Sequence, residues 1–301
     1  MRAGAAVAAA CLATLAVAAG PAAGQGPAAD WRVERLERTW EIAAAAAVSL
    51  DNPWGDVAVR THAAAEVYLL AHVQRHRDDP RELDLAVTQS DAALALAVGF
   101  ATAGPEAAPD AWAKRRVDVT VFVPKAAATR FSTRAGNLEI RGTRAPTEAA
   151  TETGDLRLRI AGPVAARTRD GDVLVQFLRT DWSQPVEISS LTGEIRVEMP
   201  RGGNAEVVVE TRGEITSDFS THVEWVQGTL LKRVRLSVGA AGMPLELSSH
   251  QGPIKVLQSL VPAEDGPAED EPAKDDPAED DPAEDDPAEG DPAEDDGDPT
   301  P

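Results

Sequence analysis

Apolar and polar residues alternate with a period of two along most of this chain. Val117, Val119, Val121 and Val123 give the cleanest run, with Asp118, Thr120 and Phe122 between them. The same alternation marks Val57/Val59, Val67 to Val73, Leu83 to Val87 and Leu94 to Val98. It continues at Leu138/Ile140, Leu156 to Ile160, Val173 to Phe177, Val186/Ile188 and Ile195 to Met199. Val207/Val209, Val234 to Val238, Leu245/Leu247 and Ile254/Val256 complete the set. Intervening positions are often charged, as at Arg157, Arg159, Arg196 and Glu198, which predicts strands with one buried and one wet face. Only Trp31 to Ala47 suggests a helical period.

A shorter pattern recurs inside the alternation. Glycine followed by Asp, Asn or Glu precedes an aliphatic pair spaced by two: Gly136-Asn137-Leu138, Gly154-Asp155-Leu156, Gly171-Asp172-Val173, Gly193-Glu194-Ile195 and Gly213-Glu214-Ile215. Gly252-Pro253-Ile254 is a degenerate copy, and Gly55-Asp56-Val57 stands alone upstream. The glycines step by 18, 17, 22 and 20 residues, then by 39, about two periods. A strand-and-turn period near 20 predicts an all-β, single-domain solenoid of coils of about 17–22 residues, which bury an aliphatic column by stacking. Glycine supplies the turn's positive φ, and Asp or Asn tolerates the adjoining geometry. An up-and-down sandwich or barrel would give similar strand spacing. Recurrence of one dipeptide at one phase favours the solenoid.

The repeated Thr-x-x-Gly-Asp-Leu-x-Leu coils resemble the putative adhesin family, bacterial β-solenoid domains of unknown function. Leu50-Asp51-Asn52-Pro53-Trp54-Gly55-Asp56-Val57-Ala58-Val59 is similar to that family's opening coil. The resemblance covers about Ser49 to Gln258. It implies an exported or surface-facing repeat domain and carries over no catalytic residues.

Composition divides the chain further. Residues 1–24 read as a secretory signal, with Arg2 as the positive start, Ala3 to Ala19 as the apolar stretch and Ala22-Ala23-Gly24 at the cleavage region. The stretch is short for a membrane anchor. It also holds the only cysteine, Cys11, so the mature chain would carry no thiol and no disulfide. Residues 25–48 form a lead-in or cap, 49–260 the solenoid, and 261–301 a tail of Pro-Ala-Glu-Asp repeats. From Val261 on there are 19 acidic residues against one lysine, a net of −18 out of the chain's −21, which leaves −3 for the first 260 residues. A nearly neutral body argues against nucleic acid as a partner. The tail lacks large apolar residues after Val261, which predicts a disordered, self-repelling segment. Weak, diffuse capture of calcium or of a basic partner is its second possible role.

Candidate chemistry is sparse. His72 and His76 are four apart, which on a strand puts them on one face but about 13 Å from each other, too far to share a metal. The turn acids Asp155, Asp172, Glu194 and Glu214 would stack in successive coils, either as turn formers or as a ladder for calcium or saccharide. Trp54, Trp112, Trp182 and Trp225 are expected at caps and edges. No nucleophile elbow, phosphate loop or dinucleotide fingerprint is present. No catalytic, cofactor-binding or metal-ligating residues are assigned. The expected function is a non-catalytic structural or binding module of the cell envelope, periplasm or medium, with no membrane span after cleavage and an unidentified protein or glycan ligand. The alternative is a polysaccharide-acting enzyme that uses the stacked turn carboxylates.

Overall fold

A computed structural model describes residues 30–100, 114–225, 230–240 and 242–259. All of them belong to the first of two compact units, Met1–Glu264 and Asp265–Pro301. The leader at 1–24, the tail at 261–301 and Trp112 lie outside the described residues, as does the side chain of Trp225.

The strands, in chain order, are β1 Trp31–Glu41, β2 Ala47–Trp54, β3 Val57–His62, β4 Glu66–His76, β5 Leu83–Gln89, β6 Ala93–Phe100 and β7 Arg115–Pro124. Next come β8 Thr129–Ala135, β9 Leu138–Arg141, β10 Thr147–Thr153, β11 Leu156–Ile160, β12 Val164–Asp170, β13 Val173–Phe177 and β14 Val186–Ser190. The last are β15 Ile195–Met199, β16 Ala205–Thr211, β17 Ile215–Ser217, β18 Thr221–Trp225, β19 Lys232–Val238, β20 Pro244–Ser249 and β21 Ile254–Gln258. The fold is all-β, with two large open sheets in a sandwich-like arrangement. One sheet has ten strands, ordered β1-β4-β7-β3-β9-β11-β13-β15-β21-β17. The other has eleven, ordered β18-β19-β16-β20-β14-β12-β10-β8-β2-β6-β5.

Seven strand–glycine–strand units link the sheets, each with its first strand in the eleven-stranded sheet and its second in the ten-stranded one. Adjacent units pair in parallel with identical phase, so one inward row reads Val59, Ile140, Leu158, Val175, Val197 and Val256. In the facing sheet the row is Leu50, Phe131, Ala149, Ala166, Ile188, Leu247 and Val209. These side chains are buried in one continuous cluster. The alternation in the sequence is therefore a division between this cluster and two wet outer faces.

The sequential stack of coils needs three corrections. First, the C-terminal unit β20–β21 inserts between β14–β15 and β16–β17. The turn hydrogen bonds follow this spatial order. In the stacked units a hydroxyl three residues before each glycine donates to the preceding unit's glycine carbonyl: Thr133 to Gly55, Thr151 to Gly136, Thr168 to Gly154 and Ser190 to Gly171. Ser249 precedes Gly252 by three and donates to Gly193, and in the last unit Thr211, two residues before Gly213, donates to Gly252. Second, antiparallel strands interrupt the repeat: β4 on β7, β5 on β6, and both β16 and β18 on β19. Third, the segment from Trp31 is a strand and not a helix. β1 pairs with β4 along its whole length. Its half-buried residues, Leu36 and Trp40, stand four apart and so mimic a helical face.

Candidate functional site

The corner acids are fasteners. Asp118 Oδ1 accepts the backbone N–H of Asp56 at 2.9 Å, and Asp56 Oδ1 that of Asn137 at 2.7 Å. Asn137 Oδ1 then accepts from Asp155 at 2.9 Å, Asp155 Oδ1 from Asp172 at 3.0 Å, and Asp172 Oδ1 from Glu194 at 2.8 Å. The ladder stops there because Pro253, next in the stack, has no N–H to donate. Glu194 instead pairs with Lys255 at 2.9 Å. Asp155, Asp172 and Glu194 are thus neighbours as expected, while Glu214 lies one unit further on. Asp56 and Asn137, which occupy the same place in the motif, belong to the ladder too, and Asp118 is a member outside the motif. Arg116 spans Asp56 and Asp118, and its pKa is raised chiefly by the hydrogen bond to Asp118.

Such a ladder is a poor cleavage site. Glycoside hydrolysis needs one carboxyl group to give a proton and a second to attack or to activate water. Here one oxygen of each corner residue from Asp56 to Asp172 is occupied by a backbone N–H of the next unit. Among the described residues no cluster of three or more His, Cys, Asp or Glu could hold a metal ion.

The other residues picked out in the sequence are dispersed. His72 and His76 share the outer face of β4; His72 is exposed, and His76 packs edge-on against Trp31 at 5.9 Å and lies 3.6 Å from Asp78. His62 Nε2 lies 2.9 Å from the Glu66 carbonyl, and His250 lies 3.4 Å from Arg212. Trp182 is buried against Phe177, with ring centres 4.5 Å apart, and Trp54 packs near Phe100.

A trough of about 480 Å³ runs across the starts of β2, β6, β8, β10 and β12. Its floor includes Ala93, Ser49, Arg130, Glu148 and Ala165, and Pro146, Pro163 and Pro185 open the strands along its side. Proline fits there because a first strand residue need not donate to the ladder. Small outward residues leave the hollow, and Arg130 and Glu148, paired at 2.7 Å, give it polar handles. A second hollow of about 280 Å³ adjoins it over β5, β6, β2 and β8, sharing Ser49 and Arg130. The signal in the sequence was the proline that precedes the strands at 147, 164 and 186, masked by the louder glycine repeat.

No family model and no curated protein matches the sequence. Among solved structures, a putative cell adhesion protein from Clostridium sporogenes is similar at 11% identity and a TM-score of 0.42, over 76% of this chain and 100% of that one. A putative adhesin from Bacteroides fragilis shares 11% identity, with a TM-score of 0.34 over 75% of this chain and 97% of its own. A putative lipid binding protein from Parabacteroides distasonis shares 12%, with a TM-score of 0.25 over 75% and 96%. Among the described residues no helix is long and apolar enough to cross a membrane.

Proposed function

We propose that this chain is an exported, adhesin-like binding module without catalytic activity, built as a two-sheet solenoid, that holds an extended protein or glycan ligand against its outer surface. The trough over the strand starts carries the proposal: it is open, extends across five strands and is lined mainly by strand residues. Parallel units stacked at a common phase support the solenoid reading. The leader-like residues 1–24 support export to the envelope or beyond. Residues 261–301 serve as a solvated spacer, since a chain broken by proline every five residues does not preorganise the oxygen cage calcium needs.

The test is retention of the chain lacking residues 1–24 on immobilised envelope proteins and on neutral and acidic glycans, with product analysis alongside. Retention that falls when Ala165→Trp fills the trough is expected, without release of shortened glycan. Glycan cleavage abolished by Asp155→Asn or Asp172→Asn would establish the enzymatic alternative instead. Calorimetric titration should give no saturable micromolar calcium site that depends on the tail.

A further inference from the structure

We propose that the outer face of the ten-stranded sheet carries a second binding surface, for an acidic polysaccharide, centred on Arg60, Arg141 and Arg159. This inference rests on the reading of the chain as a binding module. Backbone register places the three arginines directly beside one another on β3, β9 and β11. The same row continues from Arg60 to Phe122 on β7 and Tyr68 on β4. All five positions belong to the outward set of their strands. At roughly 4.8 Å per strand the row spans about 19 Å, the reach of an oligosaccharide rather than of one sugar.

Charge within the row is under-compensated. Glu139 bonds Arg60 at 2.8 Å and Arg141 at 2.5 Å, so one carboxylate serves two guanidinium groups. Arg157, beside Glu139 on the next strand, reaches Asp155 only at 3.6 Å. Among the described residues Arg159 has no carboxylate partner within salt-bridge distance. Like charges directly opposite across strands weaken a sheet. In the eleven-stranded sheet several arginines are matched by acids: Arg130 faces Glu148, Arg233 faces Glu210, and Arg167 reaches Glu187. The arginine row sets three like charges side by side on an outer face, and a polyanion would relieve their repulsion.

The geometry selects the class of ligand. Guanidinium forks take carboxylate or sulfate groups in bidentate fashion. Phe122 lies between Tyr68, at 5.9 Å between ring centres, and His62, at 6.5 Å, which forms an aromatic platform at one end of the row. The apolar face of a sugar ring packs on such a platform while its acid groups lie over the arginines. The formal charge of −21 does not oppose this, because the first 260 residues carry only −3 of it.

Affinity electrophoresis of the full chain lacking residues 1–24, at physiological salt, tests the assignment. The probes are polygalacturonate for carboxylate, heparin for sulfate, neutral dextran and a single-stranded oligonucleotide. Retardation by polygalacturonate or heparin, and by neither dextran nor the oligonucleotide, is expected; whichever of the first two acts identifies the acid group. Arg159→Glu should weaken it at least tenfold with an unchanged melting temperature, Arg159→Lys by less, and Ala165→Trp not at all. Equal retardation of the parent and Arg159→Glu, or preference for the oligonucleotide, overturns the arginine site. Binding of dextran alone, blocked by Ala165→Trp, would overturn it too while leaving the binding module intact. Cleavage of the probe would remove the binding-module reading itself.

Discussion

At Gly154 the backbone passes so close to the previous unit that an added Cβ would lie 2.1 Å from the Gly136 carbonyl oxygen, and φ is +143°. Both constraints exclude a side chain, and the neighbour is backbone that cannot swing aside. Gly154→Ala should therefore cost about 3–5 kcal/mol, from strain and overpacking together, seen as a lower midpoint in urea. A midpoint within error of the parent would show that the units separate easily. Val175 and Arg157 test the two faces. Val175 is fully buried, so Val175→Asp places an unpaired charge in the core and should abolish the cooperative melt. Arg157 is exposed and weakly paired, so Arg157→Ala should change stability by about 0.5 kcal/mol or less. Equal melts for the two would invert the facing assignment. This facing was legible, because period two leaves little choice. The glycine corners were legible as turns, but not as hydrogen-bonded contacts between units, since a residue's partner in the next unit is set by tertiary register.

Among the elements, those outside the repeat were the least legible. β1 carries Arg and Glu on both faces and buries little, so it has no strand signature of its own. Its partner β4 supplies the missing backbone bonds. The turn between β4 and β5 hides another feature that alternation does not show. Asp79 and Arg115 are buried there and paired at 2.8 Å, with the Arg115 guanidinium 5.0 Å from the Phe100 ring centre. Burial pushes the Arg115 pKa below its usual value, and the Asp79 charge opposes that shift. Asp79→Ala leaves a buried cation without its counter-ion and should cost about 3–5 kcal/mol. Combining it with Arg115→Met removes the stranded charge and should restore much of the loss in a thermal melt. A double variant no more stable than the single one would mean that the turn, rather than the pair, supplies the stability.

Over the whole molecule, the inserted C-terminal unit makes stability depend on the end of the chain. Among the described residues β21 is the only sheet partner of β17, and β20 lies between β14 and β16. A stack built in chain order would lose only its last layer on truncation. Here, ending the chain after Gly242 removes the next-to-last layer of the parallel stack and leaves β16–β17 without its neighbour. It withdraws Leu245, Leu247, Ile254 and Val256, all at most 1% exposed. At about 1.5–3 kcal/mol per buried aliphatic side chain, their loss is about 6–12 kcal/mol. That matches the entire stability typical of a domain, about 5–15 kcal/mol. The chain ending after Gly242 should therefore show no cooperative melt and lose amide-exchange protection from β12 through β19. Ending the chain after Val261 instead, which removes only the acidic repeats, should leave the melting temperature unchanged. If the shorter chain melts like the longer one, β16–β17 can stack directly on β14–β15, and the inserted unit is an accessory layer rather than the one that joins the two parts of the sheets.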